Sequence, residues 1–298
     1  MSNLRDQKTL EQRRREFREL CMSRSALIVP GAGNALTARI IEDTGFEAIY
    51  VTGAGIANTY LGAPDIGLVT LTELAYTTSA ISEITDKPLI VDIDTGFGNA
   101  LNAQRTMRVI ERAGAFAVQM EDQVFPKKCG HFEGKSIIPL SEAVNKIKAV
   151  CDVRNDPNTM VIARTDARSI EGLNSALDRA EAFLEAGADM TFVEAPQTVE
   201  ELKEISKRLS APQVANMVVG GKTPLINQKD LFDLGYSIVL YANTPLQAAM
   251  RAMSNVLKSL KETGDVSEVI DSLSDFAERQ RLVAKFEYDA AEKKYSSD

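Results

Sequence analysis

Residues 126–135 read PKKCGHFEGK and hold the only histidine of the chain, His131, together with Cys129, one of three cysteines. Two lysines precede the thiol, and Gly130 and Gly134 loosen the segment. Neighbouring cations lower the pKa of a thiol and help it hold or deliver a proton. One reading is therefore an acid–base thiol on a loop able to close, with Lys127, Lys128 and His131 supplying positive charge. Three other readings stand beside it. Cys129 could be a small buried hydrophobe. Cys129 and His131 could be zinc ligands, although no other Cys or His lies nearby to complete the set. They could form a thiol-hydrolase dyad, but residues two apart in a loop seldom aim at each other, and no GxSxG motif accompanies them. Cys21 and Cys151 fall in apolar helical patterns and read as packing.

Carboxylates form the second group. VDIDTG places Asp92 and Asp94 at i and i+2, which on a strand points both side chains to one face. Glu121 and Asp122 end the next apolar run. Carboxylates that converge repel unless they are protonated, paired or metal-bound. Hard oxygen ligands suit Mg²⁺ or Mn²⁺ with several waters retained. The alternative is that they cap helices and pair with Lys or Arg. TGAGIANTYLGAPD (52–65) is glycine-rich but has Asn58 where a dinucleotide fingerprint needs glycine. Its turn could still offer backbone N–H groups to a carboxylate or phosphate. Arg164 in ARTDA could clamp a carboxylate, and Asn216 and Thr223 could serve a second anionic end. Each of these is equally structural when read singly.

Eight short β-rich runs must position these groups: 26–31, 48–53, 88–96, 115–122, 160–166, 189–195, 212–218 and 237–243. Helical patterns follow them, near 35–43, from 71, 102–112, from 140, 171–185, 198–208, 227–233 and 246–262. The β runs are apolar at nearly every position, which means strands buried on both faces in a parallel sheet. Eight such units over about 250 residues predict a (β/α)₈ TIM-type barrel. Asp92, Asp94, Glu121, Asp122, Arg164, Asp166 and Glu194 all fall at strand C-terminal ends, the face on which such barrels build active sites. A charged helix over 8–20 precedes the first strand, and 264–298 reads as further helix that could pack on a neighbouring subunit. One barrel domain is expected over 1–298, with an N-terminal helix in 1–24, the barrel in 25–262 and a helical extension in 263–298.

Composition narrows the partners. Thirty-four basic against 42 acidic residues give a net charge of −8, a poor basis for binding nucleic acid or anionic membranes. No apolar run is long enough to span a bilayer, and the charged N-terminus is not a secretory signal. Three cysteines fit a reducing, cytoplasmic setting better than a disulfide framework.

Across about residues 25–260 the chain resembles the isocitrate lyase / phosphoenolpyruvate mutase superfamily, most closely its short C–C lyase branch. The resemblance rests on YVTGAG, LGAPDIGLVT, DIDTGFGNALN, QMEDQVFPKKCGH, ARTDA, VEAP and ANMVVGGKTP in that order. KKCGH marks lyases as against mutases and phosphonate hydrolases. The resemblance implies a barrel whose last helix is swapped with a neighbour in a homotetramer. It implies Mg²⁺ held directly at Asp92, through waters at Asp65, Asp94 and Glu121. It also implies a 2-oxo acid carboxylate held by Arg164 and the Thr52–Gly53–Ala54 backbone, with Tyr50 near the substrate hydroxyl. Lys127, Cys129 and His131 fall on its gating loop, and Glu194, Asn216 and Thr223 around the distal carboxylate. The implied reaction is Mg²⁺-dependent cleavage of a 2-hydroxy acid, a small di- or tricarboxylate, into pyruvate or another 2-oxo acid and a carboxylate. Cys129 would be the acid and Tyr50 the base, and hydrolysis or decarboxylation of oxaloacetate on the same site is the alternative. Two departures bear on the distal group: Val219 where many relatives have Glu, and Asn243 where a Tyr-Pro step is common. No further basic residue stands out for a third carboxylate. That weighs against isocitrate and leaves 2-methylisocitrate or a 2-alkylmalate.

Overall fold

The computed structural model describes residues 8–130 and 132–296. Its strands are β1 (Leu27–Ala32), β2 (Ile49–Val51), β3 (Leu89–Asp92), β4 (Ala117–Glu121), β5 (Met160–Thr165), β6 (Met190–Val193), β7 (Val214–Asn216) and β8 (Ile238–Tyr241). All pairings are parallel, in the order β6-β5-β4-β3-β2-β1-β8-β7. A parallel bridge from Thr191 on β6 to Gln213 beside β7 joins the two ends of that order, so the sheet is a nearly closed barrel. Each strand sits beside its sequence neighbours, as a singly wound (β/α)₈ barrel requires.

Side-chain alternation divides the core. Val29, Tyr50, Ile90, Ala117, Ile162, Phe192 and Leu240 pack together inside the barrel. Val51, Val91, Val118 and Val161 face outward against the helices. Several helices that follow strands begin at a side-chain cap where orphan N–H groups find acceptors. Thr70 with Glu73, and Asn99 with Asn102, form reciprocal capping boxes. These caps fix where the loops at the mouth of the barrel end. The first helix, Leu10–Met22, lies across the opposite end, where Phe17 meets Phe116 edge to face at 6.1 Å.

Three local expectations change. The 48–53 run is strand only over Ile49–Val51, because Thr52 caps a helical turn, Gly53–Ile56, which runs on as a π-turn over Ala57–Leu61. The helix expected over 171–185 is broken at Gly172 (φ 92°) into Arg168–Glu171 and Leu173–Glu185. Asp94 lies beyond β3, so strand alternation is not what turns it toward Asp92. The helix after β8, Thr244–Thr263, buries none of its residues; Met250, Met253 and Leu257 are 52%, 55% and 62% exposed. The C-terminal extension is a 3₁₀ turn, Ser267–Ser272, and two helices, Phe276–Leu282 and Lys285–Tyr295. Among the described residues no helix is long and apolar enough to cross a membrane.

Candidate active site

The ends of β2 to β6 bring the expected charges together. β3 ends at Asp92, and the next turn puts Asp94 in the left-handed region (φ 48°). Asp is one of the few residues that tolerate it, and here the Asp94 N–H donates to Asp92 Oδ1 at 3.1 Å. The two carboxylates then converge on one point. A Cβ added to Gly53 would lie 3.2 Å from Asp94 Oδ1 and 3.5 Å from Asp92 Oδ2. A side chain at 53 would therefore crowd both carboxylates, a constraint the sequence motif alone did not reveal.

Lys127 closes this acidic corner. Its ammonium lies 2.6 Å from Asp65 and 2.9 Å from Asp94, with the side chain only 3% exposed. Burial alone would lower its pKa, but Asp94, Glu121, Asp65 and Asp92 outweigh that and raise it well above the usual lysine range. Burial, offset by Lys127, lifts Asp94 to about 6. Glu121 is pushed well above the carboxylate range, chiefly by burial, and neither of its oxygens has a hydrogen-bond partner among the described residues.

Arg164 stands across from this corner. Its Nε and Nη2 donate to Asp166 at 3.0 and 3.1 Å, while Glu194 lies 3.3 Å from Nη1 and Glu121 3.4 Å from Nε. Phe192 backs the guanidinium at 5.3 Å. The loop after β4 reaches over both corners. The Cys129 N–H donates to the Asp65 carbonyl at 3.2 Å, and a Cβ on Gly130 would come 2.5 Å from Arg164 Nη2. Cys129 is thus suspended between the acidic corner and Arg164. His131 lies outside the described residues. Burial pushes the Cys21 thiol up to about 12 and Cys151 to about 11, so neither is a nucleophile at neutral pH, in keeping with packing roles.

Tyr50 projects inside the barrel and donates to Gln119 Oε1 at 2.9 Å. Burial first, then the charge of Asp92, raises its pKa well above the usual phenol value. The Thr52 hydroxyl accepts from the Gly55 N–H at 3.2 Å and lies 3.4 Å from Asn243 Oδ1. Asn216 at the end of β7 and Thr223 beyond it carry buried polar oxygens, Oδ1 and Oγ1, that have no partner among the described residues.

Among the described residues no three His, Cys, Asp or Glu side chains surround a point closely enough to bind a bare ion. The donor set fits a hydrated one. Mg²⁺ keeps several waters and takes one or two carboxylates. Asp92 and Asp94 converge beside the open face of Gly53, and the unpartnered oxygens of Glu121 can accept from bound water.

A family model for phosphoenolpyruvate phosphomutase matches residues 17–261. The 2,3-dimethylmalate lyase of Eubacterium barkeri is 44% identical over 268 residues, covering 90% of this chain and 93% of that protein. The chain belongs to the phosphoenolpyruvate mutase / isocitrate lyase superfamily. A second member of it, the 2-methylisocitrate lyase of Aeropyrum pernix, is also 44% identical, covering 92% of this chain and 88% of that one. A crystal structure of 2,3-dimethylmalate lyase superposes with TM-score 0.90 at 29% identity, covering 98% and 97% of the two chains. An oxaloacetate acetylhydrolase bound to 3,3-difluorooxalacetate matches at TM-score 0.88 and 27% identity, covering 95% and 96%. A phosphonopyruvate hydrolase with oxalate and Mg²⁺ matches at 0.86 and 30%, covering 97% and 99%. The superfamily thus makes the chain a member of an enzyme family with lyase and mutase relatives.

Two groups in this candidate site, Gln119 and Lys135, are not evident from the sequence, and Asp166, evident there only as a charge at a strand end, has its partner shown by the fold. Gln119 partners Tyr50; its place two residues before Glu121, on the same face of β4, was the available signal. Asp166 grips Arg164 and follows it at i+2. Lys135 bonds Asp166 at 2.7 Å and the Gly130 carbonyl at 2.5 Å, and nothing local marks it.

Proposed function

We propose that this chain is a Mg²⁺-dependent carbon–carbon lyase. Its substrate would be a 2-hydroxy acid of the 2-alkylmalate or 2-methylisocitrate type, split into a 2-oxo acid, pyruvate, and a carboxylate. The observation that carries this reading is the seating of the Cys129 loop, with Lys127 bound to Asp65 and Asp94 and Gly130 against Arg164. That arrangement sets a thiol between an acidic corner suited to a hydrated cation and a guanidinium suited to a carboxylate.

Asp92 would hold Mg²⁺, or Mn²⁺ in its place, with Asp65, Asp94 and Glu121 accepting from its waters. The bound cation supplies Lewis acidity toward the substrate hydroxyl. Arg164 and the Thr52–Gly53–Ala54 backbone hold the carboxylate of the nascent 2-oxo acid. Glu194, Asn216 and Thr223 receive the distal end, where the unpartnered Asn216 and Thr223 oxygens still have bonds to make. Tyr50 takes the hydroxyl proton. Its buried site beside Asp92 favours the neutral phenol, so positive charge next to Asp92 is a condition for this step. The C2–C3 bond then breaks, and its electron pair passes to C3 of the departing carboxylate. Cys129 protonates C3, and Lys127 and His131 offset the charge that develops there.

Oxaloacetate hydrolysis or decarboxylation is the second reading, favoured by the structural match to oxaloacetate acetylhydrolase. Release of 2-oxo acid, coupled to NADH oxidation, from 2-methylisocitrate, 2,3-dimethylmalate, isocitrate and oxaloacetate, with oxalate and acetate also assayed on oxaloacetate, separates the two. Cys129→Ser should abolish cleavage of the malate derivative. Product from oxaloacetate alone, unchanged in Cys129→Ser, would reject the lyase. We further propose a cytoplasmic homotetramer in which the unburied helix after β8 packs on a neighbouring subunit. Light scattering should return a four-chain mass, and a monomer would reject that assembly.

A further inference from the structure

The loop that carries Cys129 is held at a point the proposed mechanism does not use. The Lys135 side chain is 2% exposed, and its ammonium donates to the Gly130 carbonyl at 2.5 Å and to Asp166 Oδ1 at 2.7 Å. The same Asp166 accepts from Arg164 Nε and Nη2 at 3.0 and 3.1 Å. Asp166 is itself braced from behind. Its N–H donates to Asp122 Oδ1 at 2.9 Å, and Asp122 also accepts from the Thr165 hydroxyl at 2.7 Å and Arg179 at 3.1 Å. One fixed carboxylate therefore grips the substrate-side guanidinium with one set of bonds and the loop with another.

Beyond Gly130 the loop is otherwise held by the Lys128 ammonium on the Gly134 carbonyl and by backbone bonds of Val124 to Ser136 and Ile138 to Asp122, and its remaining ties act before Gly130. Lys127 pairs with Asp65 and Asp94, the Cys129 N–H meets the Asp65 carbonyl, and the Lys128 backbone exchanges two bonds with the Gln123 amide. Lys135 ties the far side of the loop to a carboxylate of the barrel wall. We propose that Lys135 is a positioning residue: it bridges the Gly130 carbonyl to Asp166 and so sets Cys129 and Arg164 in one frame while the loop is closed. This deepens the lyase reading and rests on it for its catalytic consequence. A buried ammonium is tolerable here because it is both paired and hydrogen-bonded. On opening it exchanges those bonds for water, which keeps the net cost small and the motion reversible.

The test uses the full chain with Lys135→Met, Lys135→Arg and Gly130→Ala. Nicking after Lys127 by a lysine-specific protease, scored by fragment mass, reads loop opening without any turnover, because Lys127 is 3% exposed while the loop is seated whereas Lys128 is exposed throughout. Lys135→Met should nick about tenfold faster or more, with the melting temperature kept and with Lys135→Arg restoring much of the protection. Gly130→Ala, which places a Cβ against Arg164, should nick as fast with Lys135 intact. On the cleaved malate derivative, Lys135→Met should lower kcat about 10–100-fold, the worth of one charge-assisted bond, with KM moved far less. Unchanged nicking in Lys135→Met beside fast nicking in Gly130→Ala would overturn the bridge. So would faster nicking that merely follows a fall in melting temperature. An opened loop with unchanged kcat would overturn the positioning role. Failure of every malate substrate would reject the lyase reading while the nicking result still decides the bridge.

Discussion

Arg14 and Glu121 are buried charges at opposite ends of one barrel, and only the first is saturated with partners. Arg14 donates to the carbonyls of Ala115 and Glu111 and to Asp156, at 2.9 to 3.4 Å. Glu111 in turn accepts from the Asn155 and Asp156 N–H groups and the Thr159 hydroxyl, at 2.8 to 2.9 Å. At the mouth, Glu121 has one ion pair at 3.4 Å and no hydrogen bond on either oxygen, and Asn216 Oδ1, Thr223 Oγ1 and Gln119 Nε2 also lack partners among the described residues. A satisfied buried network rigidifies the fold, whereas an unsatisfied one costs desolvation with no return until a ligand completes it. The mouth therefore spends stability to hold open valencies, and the far end supplies the rigidity that makes this affordable.

The sharpest way to break that comparison is one substitution at each end. Asp92→Ala should lower kcat/KM at least ~10³-fold while shifting the melting temperature by no more than about 2 °C. Arg14→Met strips the partner from Glu111 and Asp156 and should cost about 3–5 kcal/mol in urea unfolding, with kcat per folded molecule unchanged. If Asp92→Ala unfolds the protein and Arg14→Met leaves its stability alone, the division of labour is wrong.

Titration sharpens it further. Asp94 and Asp122 are raised to about 6, each chiefly by burial. A raised carboxyl binds its proton more tightly when folded, so metal-free stability should decline as pH rises from about 4 through 6. Asp166 has the opposite sign. Burial would raise it, but Arg164 and Lys135 hold it at about 2, so its contribution is complete above about 4 and lost as pH falls toward 2. Thermal melts without metal should peak near pH 4 and drop by a few degrees at pH 7.5, and Mg²⁺ should recover more at pH 7.5 than at pH 5. A Mg²⁺ effect of equal size at both values would remove the carboxylates from the metal site. The smallest expected effect is Glu121→Gln. It should stabilise the metal-free protein by ~1 kcal/mol at neutral pH, because the buried Glu121 must take up a proton on folding that an amide does not need, and no hydrogen bond is lost. A loss of stability there would mean that Glu121 is held as well as Glu111 is.

Much of this could be read before the fold was known, for a physical reason. Strands buried on both faces are apolar throughout, so a charge at the end of such a run must sit at a sheet edge. Asp92, Glu121, Arg164 and Glu194 were legible in that way. Asp94 was legible only as a neighbour, since what aims it is a left-handed turn and not strand alternation. Gly53 looked like part of a loose turn, and the crowding a side chain would meet there appears only when Asp92 and Asp94 stand across from it.

By itself the sequence determined the strand–helix alternation, the parallel sheet, and which end of the barrel carries charge. Those follow from local periodicity and from the cost of burying ionised groups. The tertiary structure decided what each charge touches. Lys127 finds Asp65 from 62 positions away, Lys135 reaches back to Gly130 and on to Asp166, and Arg14 plugs the far end through Ala115 and Asp156. Such pairs leave no local trace, because a side-chain hydrogen bond depends on where closure of the barrel brings distant loops, and not on the residues beside them in the chain.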